Sequence, residues 1–105
     1  MKEATIKSEG VKMRVTLHCE LDHHTAKRIR EEVDKELYEK RPRVLIIDFS
    51  GVEFMDSSGI GLILGRVNTA EKCGTVIELR SMQPHIAKLI KLSGVEKLER
   101  VNVIN

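Results

Sequence analysis

Between residues 11 and 19 apolar and polar side chains alternate: Val11, Met13, Val15, Leu17 and Cys19 fall on one face, Lys12, Arg14, Thr16 and His18 on the other. A period of two is that of a half-buried strand. The turn signal Ser8-Glu9-Gly10 just ahead of it pairs it with Ala4–Lys7 as a hairpin. From Ala26 the period lengthens, with Ala26, Ile29, Val33 and Leu37 recurring every three or four residues, which predicts an amphipathic helix from Thr25 to Lys40. On its solvated side Glu31 and Lys35, and Glu36 and Lys40, have the spacing of helical ion pairs. Pro42 stops this helix. Val44-Leu45-Ile46-Ile47 is apolar throughout, the pattern of a central strand covered on both faces, and Ser50-Gly51 breaks it.

After Asp56 the apolar positions Ile60, Ile63, Leu64 and Val67 return to helical spacing, and the helix should end near Cys73-Gly74. Gly61 and Gly65 lie inside it. Glycine weakens a helix by ~1 kcal/mol relative to alanine, so the pair predicts a close approach to a sheet. Thr75–Leu79 then reads as a strand, Pro84 opens a helix that runs to Ser93-Gly94, and Glu99–Ile104 forms a last short strand. The order β-β-α-β-α-β-α-β predicts an α/β fold with a mixed sheet of four to five strands, in a single domain over residues 1–105.

Composition narrows the function more than the fold. Eighteen Lys and Arg are interleaved with sixteen Asp and Glu, a formal charge of +2 with no basic stripe, and the only aromatic side chains are Tyr38, Phe49 and Phe54. Both features argue against a nucleic-acid partner. No apolar run approaches the ~20 residues that span a membrane, and Met1–Thr5 lacks a signal-peptide core, so a cytoplasmic protein is expected. Cys19 and Cys73 form no Cys-x-x-Cys pair and read as buried reduced thiols.

The chemistry concentrates at Asp56-Ser57-Ser58-Gly59, where a strand and turn lead into a helix. Helix starts carry amides without intrahelical partners and a positive dipole end, so a phosphate is favoured there. Asp56 and Ser57 are both N-cap types, and a cap also presents a serine to a visiting enzyme. A nucleophilic serine is disfavoured: Gly-x-Ser-x-Gly is missing, and no acid is placed to orient a base such as His85. Asp22-His23-His24 does not read as a metal set, because adjacent helical histidines diverge by about 100°; Asp22 fits better as a cap. Gly59-Ile60-Gly61 with Gly65 matches neither phosphate-binding glycine loop. No metal, no cofactor and no catalysis by this chain are expected.

Glu20-Leu21-Asp22-His23-His24-Thr25-Ala26, then Phe54-Met55-Asp56-Ser57-Ser58-Gly59-Ile60-Gly61 and Ile63-Leu64-Gly65-Arg66, together resemble the STAS domain of bacterial anti-sigma factor antagonists, the sporulation type above all. Pro84–Leu89 and Leu92–Val95 extend the likeness over nearly the whole chain. The resemblance implies a protein that, unphosphorylated, binds an anti-sigma factor serine kinase and releases its sigma factor. The kinase then phosphorylates the first serine of the segment, here Ser57, which switches binding off, and a phosphoserine phosphatase restores it. Spacing alone does not separate Ser57 from Ser58. The resemblance also implies a partner-binding surface of Asp22, Asp56, Ser57, Ser58 and Gly59. Arg66 is too far along its helix, ~13 Å in nine residues, to clamp a phosphate at Ser57.

Two departures stand out: Cys19 occupies a position where glycine is usual, and relatives continue beyond position 105 into a final helix, which leaves the coverage of one sheet face open. The alternative function is a STAS-like sensor that binds a nucleotide or another small ligand directly.

Overall fold

The computed structural model describes residues 1–104. Its elements follow in the expected order: β1 (Ala4–Glu9), β2 (Lys12–Leu17), α1 (His23–Lys40), β3 (Val44–Asp48), α2 (Ser57–Cys73), β4 (Val76–Arg80), α3 (Pro84–Ser93) and β5 (Val101–Ile104). A 3-10 turn over Val95–Lys97 precedes β5, which is why the last strand starts two residues after Glu99. β1 and β2 form the antiparallel hairpin, and β2, β3, β4 and β5 run parallel, giving a five-stranded sheet in the order β1-β2-β3-β4-β5. Val11, assigned by alternation to the buried face, lies in the hairpin turn and is 57% exposed.

Consecutive strands in consecutive places have a strong consequence. Each parallel crossover is right-handed by rule, and crossovers that all step in the same direction leave their helices on the same face. Burial agrees. Met13, Val15, Leu17, Leu45, Ile47, Phe49, Ile77 and Leu79 face Ile29, Val33, Leu37, Ile63, Ala70, Ile86 and Ile90 in a single core cluster.

β3 is central and buried on both faces as expected, but on the other face the cover is not a helix: among the described residues none lies there. Ile46 is nonetheless 2% exposed. Its lateral neighbours in the sheet are Arg14 and Glu78, and long charged side chains shield apolar surface with their stems. Ion pairs hold this roof in place, Arg14 to Asp48 at 3.1 Å and Arg80 to Glu78 at 2.6 Å.

Two further expectations are revised. Among the predicted helical pairs, Glu36–Lys40 forms at 3.1 Å, whereas Glu31 and Lys35 make no ion pair with each other. A Cβ built on Gly61 or Gly65 meets nothing within 4 Å, so neither glycine marks a close approach to the sheet. Glycine is instead required at Gly51 and Gly59: a Cβ there would sit 2.5 Å from the Leu17 carbonyl oxygen and 2.2 Å from Met55 Cγ.

Candidate functional site: two adjoining helix starts

Parallel strands bring their ends to one edge. The chain leaving β2 reaches the start of α1, and the chain leaving β3 reaches the start of α2, at the edge where open α/β sheets place their ligands. The two connections are joined. The Leu21 N–H donates to Phe54 O at 2.9 Å and the Asp56 N–H donates to Leu21 O at 3.1 Å, so Leu21 and Met55 pair as one parallel rung beyond the strands. Both side chains are buried. Asp22 and Asp56, the next residues, therefore cap neighbouring helices from neighbouring positions.

At Asp22 the carboxylate Oδ1 accepts the His24 and Thr25 amides, each at 3.0 Å, and the Thr25 hydroxyl accepts the Asp22 N–H at 3.0 Å. This capping box starts α1 at His23, two residues before the periodicity suggests. The Thr25 backbone bond is the main influence holding the Asp22 carboxyl below the usual carboxylate range; the Thr25 hydroxyl and the His24 amide add to it against desolvation. At Asp56, Oδ1 accepts the Ser58 amide at 2.7 Å. Neither helix has an acidic residue in its first turn.

Ser57 is the first residue of α2, exposed, and its hydroxyl has no hydrogen-bond partner among the described residues. Ser58 is half-buried and faces α1, lining a cleft with His23, Lys27 and Arg30. Gly59 is buried beneath Met55, so its part is to let the turn pack. His23 and His24 are exposed in the first turn of α1. His85, considered as a base, donates its Nε2 proton to the Glu53 carbonyl at 2.6 Å, which fastens the start of α3 to the loop before Asp56. Cys19 is half-buried, with its thiol pushed up by desolvation first and by Glu3, Asp22 and Glu20, so it stays protonated at neutral pH.

Arg66 has a structural role that its sequence position does not announce. Its side chain is 4% exposed, and it grips Asp34 of α1 through Nε–Oδ1 at 2.8 Å and Nη2–Oδ2 at 3.1 Å. Burial lowers its pKa, and Asp34 opposes that shift. The inward side of α2 is Leu62, Ile63, Arg66, Ala70 and Cys73, while Leu64, expected on the apolar stripe, is 47% exposed. Leu64 lies two turns along the same side as Ser57, and Phe54 in the preceding loop is 52% exposed. Those two side chains, with Lys27 and Arg30, are the surface residues that periodicity missed; His23, Lys27 and Arg30 stand at i, i+4 and i+7, the one signal that could have grouped them.

A sheet of this order with capped helix starts at one edge defines a protein class. The chain belongs to the STAS-domain family, whose model matches residues 4–104. It is 32% identical over 84 residues to the anti-sigma F factor antagonist of Paenibacillus polymyxa, covering 80% of this chain and 72% of that one. To the anti-sigma F factor antagonist of Lysinibacillus sphaericus it is 33% identical over 81 residues, covering 77% and 69%. Among solved structures it is similar to the Bacillus cell fate determinant SpoIIAA in the phosphorylated form, with TM-score 0.74, 26% identity, and 97% of this chain and 91% of that one covered.

Proposed function

We propose that this protein is an anti-sigma factor antagonist whose docking surface surrounds Ser57, and that a serine kinase serving as the anti-sigma factor switches it off by phosphorylating that residue. The observation that carries the reading is Ser57 itself: an exposed hydroxyl, free of partners among the described residues, at the first position of a helix with no acidic residue in its first turn. On this reading the hydroxyl is a substrate, and the general base for the transfer is the partner's. In the transfer, Ser57 Oγ loses its proton to a base on the kinase and bonds the γ-phosphorus of ATP, and ADP leaves. The names of the relatives and the phosphorylated form of SpoIIAA support the same reading.

The product carries about −1.5 to −2 charges at pH 7. Within the domain those charges sit at an exposed position beside a favourable dipole end, so the fold tolerates them. In a close interface they must be desolvated, and a penalty of ~3 kcal/mol weakens binding by about two orders of magnitude. Exposed Phe54 and Leu64 supply apolar area for the interface beside the switch residue. Asp22 joins it from the adjoining helix start, and a phosphoserine phosphatase resets the cycle. The sensor alternative has less support, because the clefts of the described surface are open to solvent rather than enclosed as a small-ligand pocket usually is.

The test is incubation with the cognate kinase and ATP, with site mapping in the native chain and in Ser57→Ala and Ser58→Ala variants. Modification should vanish with Ser57 and survive loss of Ser58. Calorimetric titration should then show Ser57→Ala binding like the native chain and Ser57→Asp binding poorly; equal affinities would sink the proposal.

A further inference from the structure

The cleft between α1 and α2 has a volume of about 240 Å³ and is lined by His23, Lys27 and Arg30 from α1 and by Ser58, Gly61 and Leu62 from α2. No acidic residue lines it. Four other arginines of this chain have carboxylate partners: Arg14 with Asp48, Arg28 with Glu3, Arg66 with Asp34, and Arg80 with Glu78. Lys27 and Arg30 have none among the described residues. Of the acids on that side of α1, Asp34 is taken by the Arg66 fork, Glu31 flanks His23 and Lys27 on the outer side of the helix without an ion pair to either, and Arg30 lies close enough to Arg66 to disfavour its charge. Inside the cleft, cationic charge is thus left without a bonded counter-charge where two dipole ends also converge.

Gly61 sharpens the picture. It is exposed, a Cβ there meets nothing, and glycine within a helix is unfavourable, so packing gives no reason for it. Without a side chain at that position the α2 wall of the cleft stays open. Ser57 lies one turn ahead of Gly61 and next in the chain to Ser58, both of which line the cleft, so a phosphoryl group on it has only a short way to reach.

We propose that this cleft is an anion-binding site that receives the phosphoryl group of phosphorylated Ser57, with Lys27 and Arg30 as its counter-charges and His23 at its rim. The proposal rests on the reading of Ser57 as the switch residue and adds an intramolecular reader for it. Drawn toward α1, the phosphate fills the groove between the helices and presents a neutralised, occupied cleft where the unmodified chain presents a cationic, empty one. The partner then loses a cationic docking point, and to reach the surface it must still desolvate the bound phosphate.

The test installs phosphoserine at position 57 by genetic encoding, so that no kinase is needed, and follows the phosphorus-31 resonance through a pH titration at low salt. The second ionisation of phosphoserine falls near pH 6. A cation ~6 Å away in water-like surroundings lowers it by roughly 0.5 unit. In the native chain it should therefore lie about one unit below its value in the Lys27→Ala/Arg30→Ala variant, and the charge-preserving Lys27→Arg/Arg30→Lys variant should retain the native value. Alanine favours helix at both exposed positions, and circular dichroism confirms the fold of each variant. Curves that coincide within 0.2 unit for the native and double-alanine chains would overturn the cleft. That result is separate from a kinase that ignores Ser57, which defeats the switch reading and leaves the titration unchanged.

Discussion

Replacing Asp34 by alanine strands the Arg66 guanidinium, and the cost follows from where the two groups lie. The Arg66 side chain is 4% exposed and that of Asp34 28%, so the cation is the member that water cannot reach once the pair is broken. Removing one partner of a buried pair typically costs about 3–5 kcal/mol. Here the bond from Arg66 Nη1 to Leu62 O at 3.2 Å persists, and water enters from the Asp34 side, which reduces the expected loss to ~2–3 kcal/mol. In a domain of this size 1 kcal/mol shifts Tm by roughly 5 °C, so Asp34→Ala should melt about 10–15 °C below the native chain. Arg66→Met places an unbranched apolar chain in the same space and leaves Asp34 its own exposure to water, so it should stay within ~1 kcal/mol of native. The double variant should recover most of what Asp34→Ala loses. Urea unfolding with a common m-value measures all three differences. An Arg66→Met chain as unstable as Asp34→Ala, or strictly additive losses in the double variant, would refute the account of an arginine dependent on its acid.

Two glycines should respond with opposite signs. Gly51→Ala drives a Cβ to 2.5 Å from a backbone carbonyl that has no rotamer to change, and should cost ~2 kcal/mol or more in urea unfolding; Gly61→Ala meets nothing and should gain up to ~1 kcal/mol from helix propensity. Asp22→Ala should lower Tm at neutral pH by removing the cap. Because hydrogen bonds hold the native carboxyl below its unfolded value, that stabilisation is complete above the ordinary carboxylate range and fades as pH falls through the lower native value. The gap in Tm between the native and Asp22→Ala chains should accordingly narrow in acid, and a gap constant from pH 7 to pH 2 would contradict it.

What the sequence reveals here is what local physics decides. Periods of two and 3.6, an unbroken apolar run and the Gly and Pro boundary signals together place all eight regular elements in order, and the two aspartate caps are legible because a cap bonds residues two and three positions away. What pairs distant segments stays hidden. Arg66 beside the apolar stripe of α2 says nothing of Asp34, 32 residues earlier, so spacing alone turns Leu64 inward in its place. Gly61 and Gly65 invite a packing explanation that belongs instead to Gly51 and Gly59, whose neighbours come from Leu17 and Met55. Ile46 reads as the sign of a second helical layer, while charged neighbours in the sheet bury it. Lys27 and Arg30 look like any charges on the wet side of a helix until the second helix brings Ser58 and Gly61 against them. Residue types locate the serine; only the tertiary fold shows what surrounds it.

The rung between Leu21 and Met55 makes the two helix starts one mechanical part. A charge arriving on such a part finds no slack to take up. In a chain that switches as proposed, no relaxation step separates phosphoryl attachment from its effect on the partner, and the time needed to trade one partner for another is the residence time of the one that leaves. Such a regulator is timed by dissociation, and that clock is set by its partners' off-rates rather than by any motion of its own.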